Sequence, residues 1–390
     1  MAALQQMLDL CGSWEKAEQQ AKEFIAAGNM EEWLNLGLLY AACGRHEESK
    51  QCGKEYEKYF PNCPRLKFGM GYYQLMEGNF LHGMKMVYEG GRACNNFGSP
   101  PPEIGVPVWN GEDSIKGKKV LLRGEGGMGD EIINVRFAKP LSKLGASVIV
   151  SSSKSLMATF SRVDGVNAVL DERFLGSVYF DYWVPAMAAP YLCKCLPEDV
   201  SNIRTTNLLK QDTYTKLQGT PYISPPATKI WETIIPRKEG QLNVGFRWAG
   251  LPMYEHQQLR KFPTKSLIDV MKTPGIKCYS FQRDADLMDL PEHITDLAPF
   301  LKDWEDTSGA LSRMDLVISS CTSLAHMSGA LGRPTWIILP VMSYYTWALP
   351  GETSPWYNSV RLFRQTKLFE WDDVLNKVCN EVKRKVNANV

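Results

Sequence analysis

The chain of 390 residues carries a formal net charge of +1, with 44% hydrophobic and 22% charged residues. This is the composition of an ordinary folded protein long enough for two or three domains. The near-neutral charge argues against a nucleic-acid or polyanion binder, and no apolar run approaches the roughly 20 residues a membrane helix needs.

The start, MAALQQMLDLCGSWEKAEQQ, carries acids and glutamines where a signal peptide is basic and then apolar. Ten cysteines are scattered without metal-ligand spacing, Cys193 and Cys195 being too close for a zinc knuckle. Both features predict a cytoplasmic protein with reduced thiols and no structural metal.

Residues 1–98 are predicted as tetratricopeptide-like helical repeats, about two and a half units. Trp33, Leu36, Gly37 and Tyr40 give W-x2-L-G-x2-Y, and Gly71 repeats Gly37 after about 34 residues. The large side chains share one helix face, and Gly37 lets the paired helix approach. GRHEES and EGNFLHG mark the inter-helix turns. With so few repeats to bury one another, a brace for the following domain is favoured over a groove for a protein partner.

A connector rich in Pro and Gly, NNFGSPPPEIGVPVWNGED, leads into residues 99–220, with Trp109 as its anchor. These residues are predicted as a first Rossmann-like domain. A strand at Val120–Arg123, a glycine-rich turn, a helix and a strand at Ser147–Ser151 open a βαβ unit. Gly124, Gly126 and Gly129 satisfy G-x-G-x-x-G. The second strand, SVIVSSSKS, lacks the acid that grips the ribose of NAD, which argues against a dinucleotide enzyme. Attention moves to Asp130 and Glu131, in the first turn of the helix. A carboxylate there is favoured by the helix N-terminus and faces the crevice above the strand ends, although an ordinary N-terminal acid has the same sequence.

Residues 221–370 are predicted as a second parallel α/β domain. LNVGFRWAG, KCYSFQ, MDLVISS and PTWIILP read as strands separated by helices. In SSCTSLAHMSGALG the helix begins at Thr322, Ser323 and Leu324, whose free N–H groups suit a diphosphate. Gly329 is expected to let this helix pack close to the sheet. Arg247 at a strand end and Arg260 and Lys261 in the loop beyond could reach the same point. His326 reads as a packing histidine ahead of a catalytic one. Asp284 and Asp286 form the letters D-x-D but read as a solvated helix start.

Taken together, GMGD with Asp130, GFRWAG (245–250), RKFP (260–263), YSFQ (279–282), MDLVISSCTSLAHMSGALGRPTW (314–336) and SPWYNSVRLFRQ (354–365) resemble bacterial tetratricopeptide-repeat glycosyltransferases. These are related to the ADP-heptose:lipopolysaccharide heptosyltransferases of glycosyltransferase family nine and, more loosely, to O-GlcNAc transferases. The resemblance runs from about residue 30 to 380. It implies an α/β GT-B fold, two Rossmann-like domains facing a cleft, preceded by the all-α domain. It also implies a C-terminal helix (371–390) that crosses back to the first Rossmann-like domain. Residues 99–220 would be the acceptor side and 221–370 the donor side.

The implied activity is a metal-independent, inverting transfer from a nucleotide-diphosphate sugar to a hydroxyl of a glycan, lipid-linked sugar, protein or modified nucleobase. No cofactor is expected. Asp130 falls on the family's catalytic base and Lys261 on its phosphate-binding lysine. Arg247, Gln282, Thr322, Ser323 and Leu324 fall on the donor side, with Gly129, Glu131, Arg260 and His326 bordering the cleft. The family's D-T before the second helix is Cys321–Thr322 here. That departure is what favours the alternative, a non-catalytic nucleotide-sugar-binding or scaffold protein.

Overall fold

The computed structural model describes residues 11–95, 105–197, 215–217, 219, 221–250, 257–283 and 290–388. Asp284 and Asp286 lie outside the described residues.

The N-terminal part folds as α1 (Trp14–Ala26), the pair α2 (Glu32–Ala42) and α3 (His46–Tyr59), and the pair α4 (Pro64–Met76) and α5 (Phe80–Ala93). The turns fall where the sequence places them, with Gly44 and Gly78 at φ +78° and +82°, a conformation that favours glycine. A Cβ on Gly37 would stand 3.2 Å from Cys52 Cβ, so the two helices meet at that position. A Cβ on Gly71 would stand 2.8 Å from the Val87 backbone nitrogen, which makes the second pair tighter still.

Two parallel sheets follow. The first has the order β3-β2-β1-β4, from β1 (Lys119–Arg123), β2 (Ser147–Ser152), β3 (Val166–Asp171) and β4 (Tyr182–Pro185). Trp109 fastens the connector to it: its N–H donates to Trp183 O (2.9 Å), and its indole N–H to Asp113 O (2.9 Å). A short parallel pair, β5 (Cys195–Pro197) and β6 (Thr215–Leu217), stands apart from this sheet.

The second sheet is built from β7 (Leu242–Arg247), β8 (Ile276–Ser280), β9 (Ile294–Asp296), β10 (Leu316–Ser320), β11 (Thr335–Leu339) and β12 (Val360–Arg364). Its order is β12-β11-β10-β7-β8-β9. Helices α7 (Thr264–Met271), α8 (Trp304–Leu311) and α9 (Ser323–Ala330) connect the strands. Buried runs such as LVISS and TWIIL, apolar or small at every position, are what a strand covered on both faces requires. Two Rossmann-like domains thus face each other across a cleft, the GT-B arrangement.

The last helix, α10 (Asp372–Asn387), departs from the expectation. Its apolar stripe Val374, Leu375, Val378, Val382 and Val386 is buried in one core with Val244 and Phe246 of β7 and Leu267 and Val270 of α7. The helix therefore belongs to the second domain and does not cross back. The spacing i, i+4, i+8, i+12 gives it a single apolar face, which α7 and the second sheet cover together.

The helical part touches both α/β domains. Arg92 of α5 pairs with Glu125 (2.9 Å) in the first; Phe80 meets Trp356 edge-on (4.9 Å), and Tyr72 hydroxyl lies 3.4 Å from Ser343 Oγ in the second. One hydrophobic core runs without a break from Leu75 and Phe80 through Val120 and Ile132 to Trp347 and Tyr357. This is the anatomy of a brace. Among the described residues, no helix is long and apolar enough to cross a membrane.

Candidate functional site

The cleft forms where the C-terminal ends of the two sheets meet. After β1 the chain turns through Gly124–Gly127 into the short helix α6 (Met128–Asn134). Each glycine of the G-x-G-x-x-G run has a steric reason. A Cβ on Gly124 would lie 2.8 Å from Ser151 O, and Gly126 has φ +74° with Asp130 Oδ2 at 2.6 Å from its Cβ position. A Cβ on Gly129 would lie 3.1 Å from His326 Cδ2 and 3.6 Å from Ser323 Cα. The third glycine therefore brings the first turns of α6 and α9 together across the domain boundary.

Asp130 stands at that junction, partly buried. Its Oδ2 accepts the Gly127 N–H (3.0 Å), which fixes the carboxylate over the helix N-terminus. Its Oδ1 accepts the hydroxyls of Tyr344 (3.3 Å) and Tyr345 (3.2 Å), two residues of the opposite domain. Burial pushes its pKa up to about 6, against the pull of these three donors. A carboxylate so placed is ionised at neutral pH yet basic enough to accept a proton.

Facing it, Thr322 begins α9 in an extended conformation (φ −123°). The Thr322 hydroxyl turns to Ser319 Oγ (3.3 Å) and does not cap the helix. The N–H groups of Ser323 and Leu324 take no protein partner among the described residues. Both residues line a cavity of about 120 Å³ together with Arg247, Arg283 and Lys302, and with Met128 and Ser155 from the other domain. Arg247 is buried and donates to Phe281 O (3.0 Å). Three cationic residues thus share a lining with the start of α9, and Asp303 is the acid among them.

No protein-family profile matches the chain. It is 23% identical over 350 residues to Protein FlbA of Caulobacter vibrioides, covering 80% of this chain and 54% of that protein. The chain thus spans about half the length of the curated relative it matches. Among solved structures it is similar to a family 9 glycosyl transferase from Veillonella parvula (11% identity, 72% of this chain and 100% of that one, TM-score 0.49). It is also similar to the E. coli ADP-heptose lipopolysaccharide heptosyltransferase II (15%, 68% and 99%, TM-score 0.46). An O-GlcNAc transferase from Thermobaculum terrenum is similar over the whole chain (11%, 100% and 93%, TM-score 0.32). Its structural neighbours are of the kinds the sequence motifs resemble.

Several residues singled out in the sequence have other employment. Glu131 does not enter the cleft: its carboxylate accepts both the N–H (2.8 Å) and the hydroxyl of Ser153, tying α6 to the end of β2. Burial raises its pKa, and the two Ser153 donors oppose the rise. His326 is buried, with Nδ1 2.9 Å from the Tyr357 hydroxyl and its ring stacked on Trp347 at 4.9 Å. Burial, with Arg136 nearby, lowers its pKa to about 3, which suits a packing residue. Gln282 Oε1 accepts the N–H groups of Trp248 (3.2 Å) and Ala249 (3.0 Å), so its oxygen shapes the loop after β7. Gly329 faces the Tyr357 ring, 2.8 Å from its Cβ position, where the sheet was expected.

Arg260 is buried and donates to Cys321 O (2.8 Å); its guanidinium fills the space a Cβ on Gly250 would need. A cation thus lies beside the position where the resembled family has its aspartate. Lys261, the next residue, is exposed.

Sequence reasoning passed over three features. Tyr344 and Tyr345 sit in the loop beyond β11, at the cleft end of the sheet, and that position was their signal. Glu125, in the glycine turn, is buried between Arg92 (2.9 Å) and Arg123 (3.6 Å). Burial pushes its pKa up to about 7, against the two cations. Arg136 is buried between the two domains, and no motif marks it.

Proposed function

We propose that the chain is a glycosyltransferase that moves a sugar from a nucleotide-diphosphate donor to an acceptor hydroxyl, with inversion and without a divalent metal ion. The observation that carries this reading is the contact of α6 with α9. It sets Asp130, a carboxylate with raised proton affinity, beside the uncapped helix start at Ser323 and Leu324. Asp130 takes the proton of the acceptor hydroxyl as its oxygen bonds to the anomeric carbon. The bond from that carbon to the diphosphate breaks on the opposite side, and its electron pair leaves on the diphosphate. Ser323 N–H, Leu324 N–H and Arg247 receive that charge. The first Rossmann-like domain would hold the acceptor, be it a glycan, lipid-linked sugar, protein or modified nucleobase. The ten cysteines are all unpaired, which favours the reducing cytosol.

The test is a thermal-shift screen of nucleotide sugars in EDTA, followed by anomeric analysis of the product. A ligand bound only by the native state raises the melting temperature, by an amount that grows with its saturation. The expected result is a shift with one nucleoside-diphosphate sugar in EDTA and a product of inverted configuration. Binding without turnover on any acceptor would support the scaffold alternative. Transfer that EDTA abolishes and manganese restores would end the metal-independent reading.

Lys261→Ala carries a separate expectation. Affinity for the nucleoside diphosphate should fall about ten- to a hundredfold, the worth of one charge-assisted hydrogen bond, while affinity for the nucleoside stays unchanged. Calorimetric titration with both ligands decides it, since an equal loss for both would assign the lysine to structure.

A further inference from the structure

We propose that Tyr344 and Tyr345 are positioning residues for Asp130: the second domain supplies the phenols that hold the first domain's carboxylate ionised and oriented. The proposal deepens the reading of Asp130 as the base and rests on it for its functional meaning. The geometry divides the carboxylate between the two domains. Oδ2 belongs to its own loop through the Gly127 N–H, whereas Oδ1 is held by two hydroxyls from across the cleft. The base is therefore complete only where the domains meet.

The two tyrosines are themselves held in place. Their rings pack at 4.5 Å, and the Tyr345 hydroxyl also lies 3.3 Å from Met187 Sδ. Tyr345 is 4% exposed and Tyr344 more open. Ser343, just before them, donates to Trp347 O (3.1 Å) and meets the Tyr72 hydroxyl of α4 (3.4 Å). The helical brace thus supports the loop that supports the base, which gives the N-terminal repeats a part in the site without a ligand of their own.

Three other titratable groups stand near Asp130. His326, on the helix packed against α6, is uncharged above about pH 4 because burial lowers its pKa to about 3. Glu131, on the same helix as Asp130, is turned to Ser153. Glu125, in the preceding turn, is paired with Arg92 and Arg123. Each phenol lowers the proton affinity that burial raises. Its removal must therefore move the Asp130 titration toward higher pH.

The experiment is a carbon-13 NMR titration of aspartate carboxyls in the full-length protein, with the Asp130 signal identified by its loss in Asp130→Asn. Tyr344→Phe and Tyr345→Phe should each raise its midpoint by about one to two pH units, the scale of one hydrogen bond to a charged group. The acid limb of the pH–rate profile should move by the same amount. A midpoint unmoved in the folded Tyr344→Phe variant overturns the proposal, even should Tyr345→Phe fail to fold. The two readings separate cleanly. A shifted midpoint together with full activity of Asp130→Asn removes Asp130 as the base and leaves the positioning intact. An unmoved midpoint with an inactive Asp130→Asn does the reverse.

Discussion

Asp130→Asn is expected to lower transfer by roughly two to four orders of magnitude, the usual range for a lost general base, while making the protein more stable. The two effects have one cause. The carboxylate sits where burial raises its pKa from 3.8 to about 6, so the folded protein binds its proton more tightly than the unfolded chain does. That preference supports the fold fully below about pH 4 and is lost as the pH rises through about 6. At pH 7.5 the native state therefore carries an uncompensated cost. About 1–2 kcal/mol is reasonable for a group only partly buried. Asparagine removes it: its oxygen can accept the Gly127 N–H, and its amide can donate to a phenol that rotates to accept. Melting temperatures of the two proteins should differ in favour of the variant at pH 7.5 and converge near pH 4. Nucleotide binding should be unchanged. Transfer at near the wild-type rate would remove Asp130 from the mechanism, and an unchanged melting difference between the two pH values would remove the titration argument.

The helices, both sheets and the two turns that meet in the cleft were legible in the sequence because their signals are local. A strand buried on both faces needs an unbroken run of apolar or small residues such as LVISS, and a tight turn needs glycine at positive φ. Asp130 and Ser323 could be found for the same reason, since a helix start after a strand marks the crevice. What was missed depends on pairs far apart in the chain. The loop after β11 puts Tyr344 and Tyr345 at the cleft end of the sheet, but it does not name their partner, a carboxylate more than two hundred residues earlier. Glu131 and His326 were offered to the cleft because their positions on α6 and α9 are right; their partners, Ser153 and Tyr357, take them away. The last helix shows the same limit from the other side. Its stripe predicts a buried face, but only the fold decides that the second domain receives it.

Arg136→Met is expected to be the most damaging substitution away from the cleft, because this buried side chain bonds to both α/β domains at once. Its Nε donates to Ile133 O (2.9 Å) in its own domain. Its two terminal nitrogens donate to Trp356 O (2.8 Å) and to the Tyr222 hydroxyl (3.0 Å). The guanidinium also lies over the rings of Tyr222 (4.3 Å) and Tyr357 (4.7 Å). Methionine retains most of the stem but no donor, so buried carbonyls lose partners at about 1–3 kcal/mol each, and contacts with the aromatic faces worth about 2 kcal/mol are lost. Removing a buried cation returns part of this. The net expectation is a loss of about 2–4 kcal/mol, read as a lower urea midpoint. Arg136→Lys should restore little, since an ammonium cannot bond two oxygens in fork geometry while lying flat on two rings. Arg136 also helps to lower the His326 pKa, so the histidine's titration should move upward in Arg136→Met, an NMR readout independent of global stability. An unfolding free energy within about 0.5 kcal/mol of the wild type, the scale of a neutral surface change, would show that the other contacts between the domains suffice without Arg136.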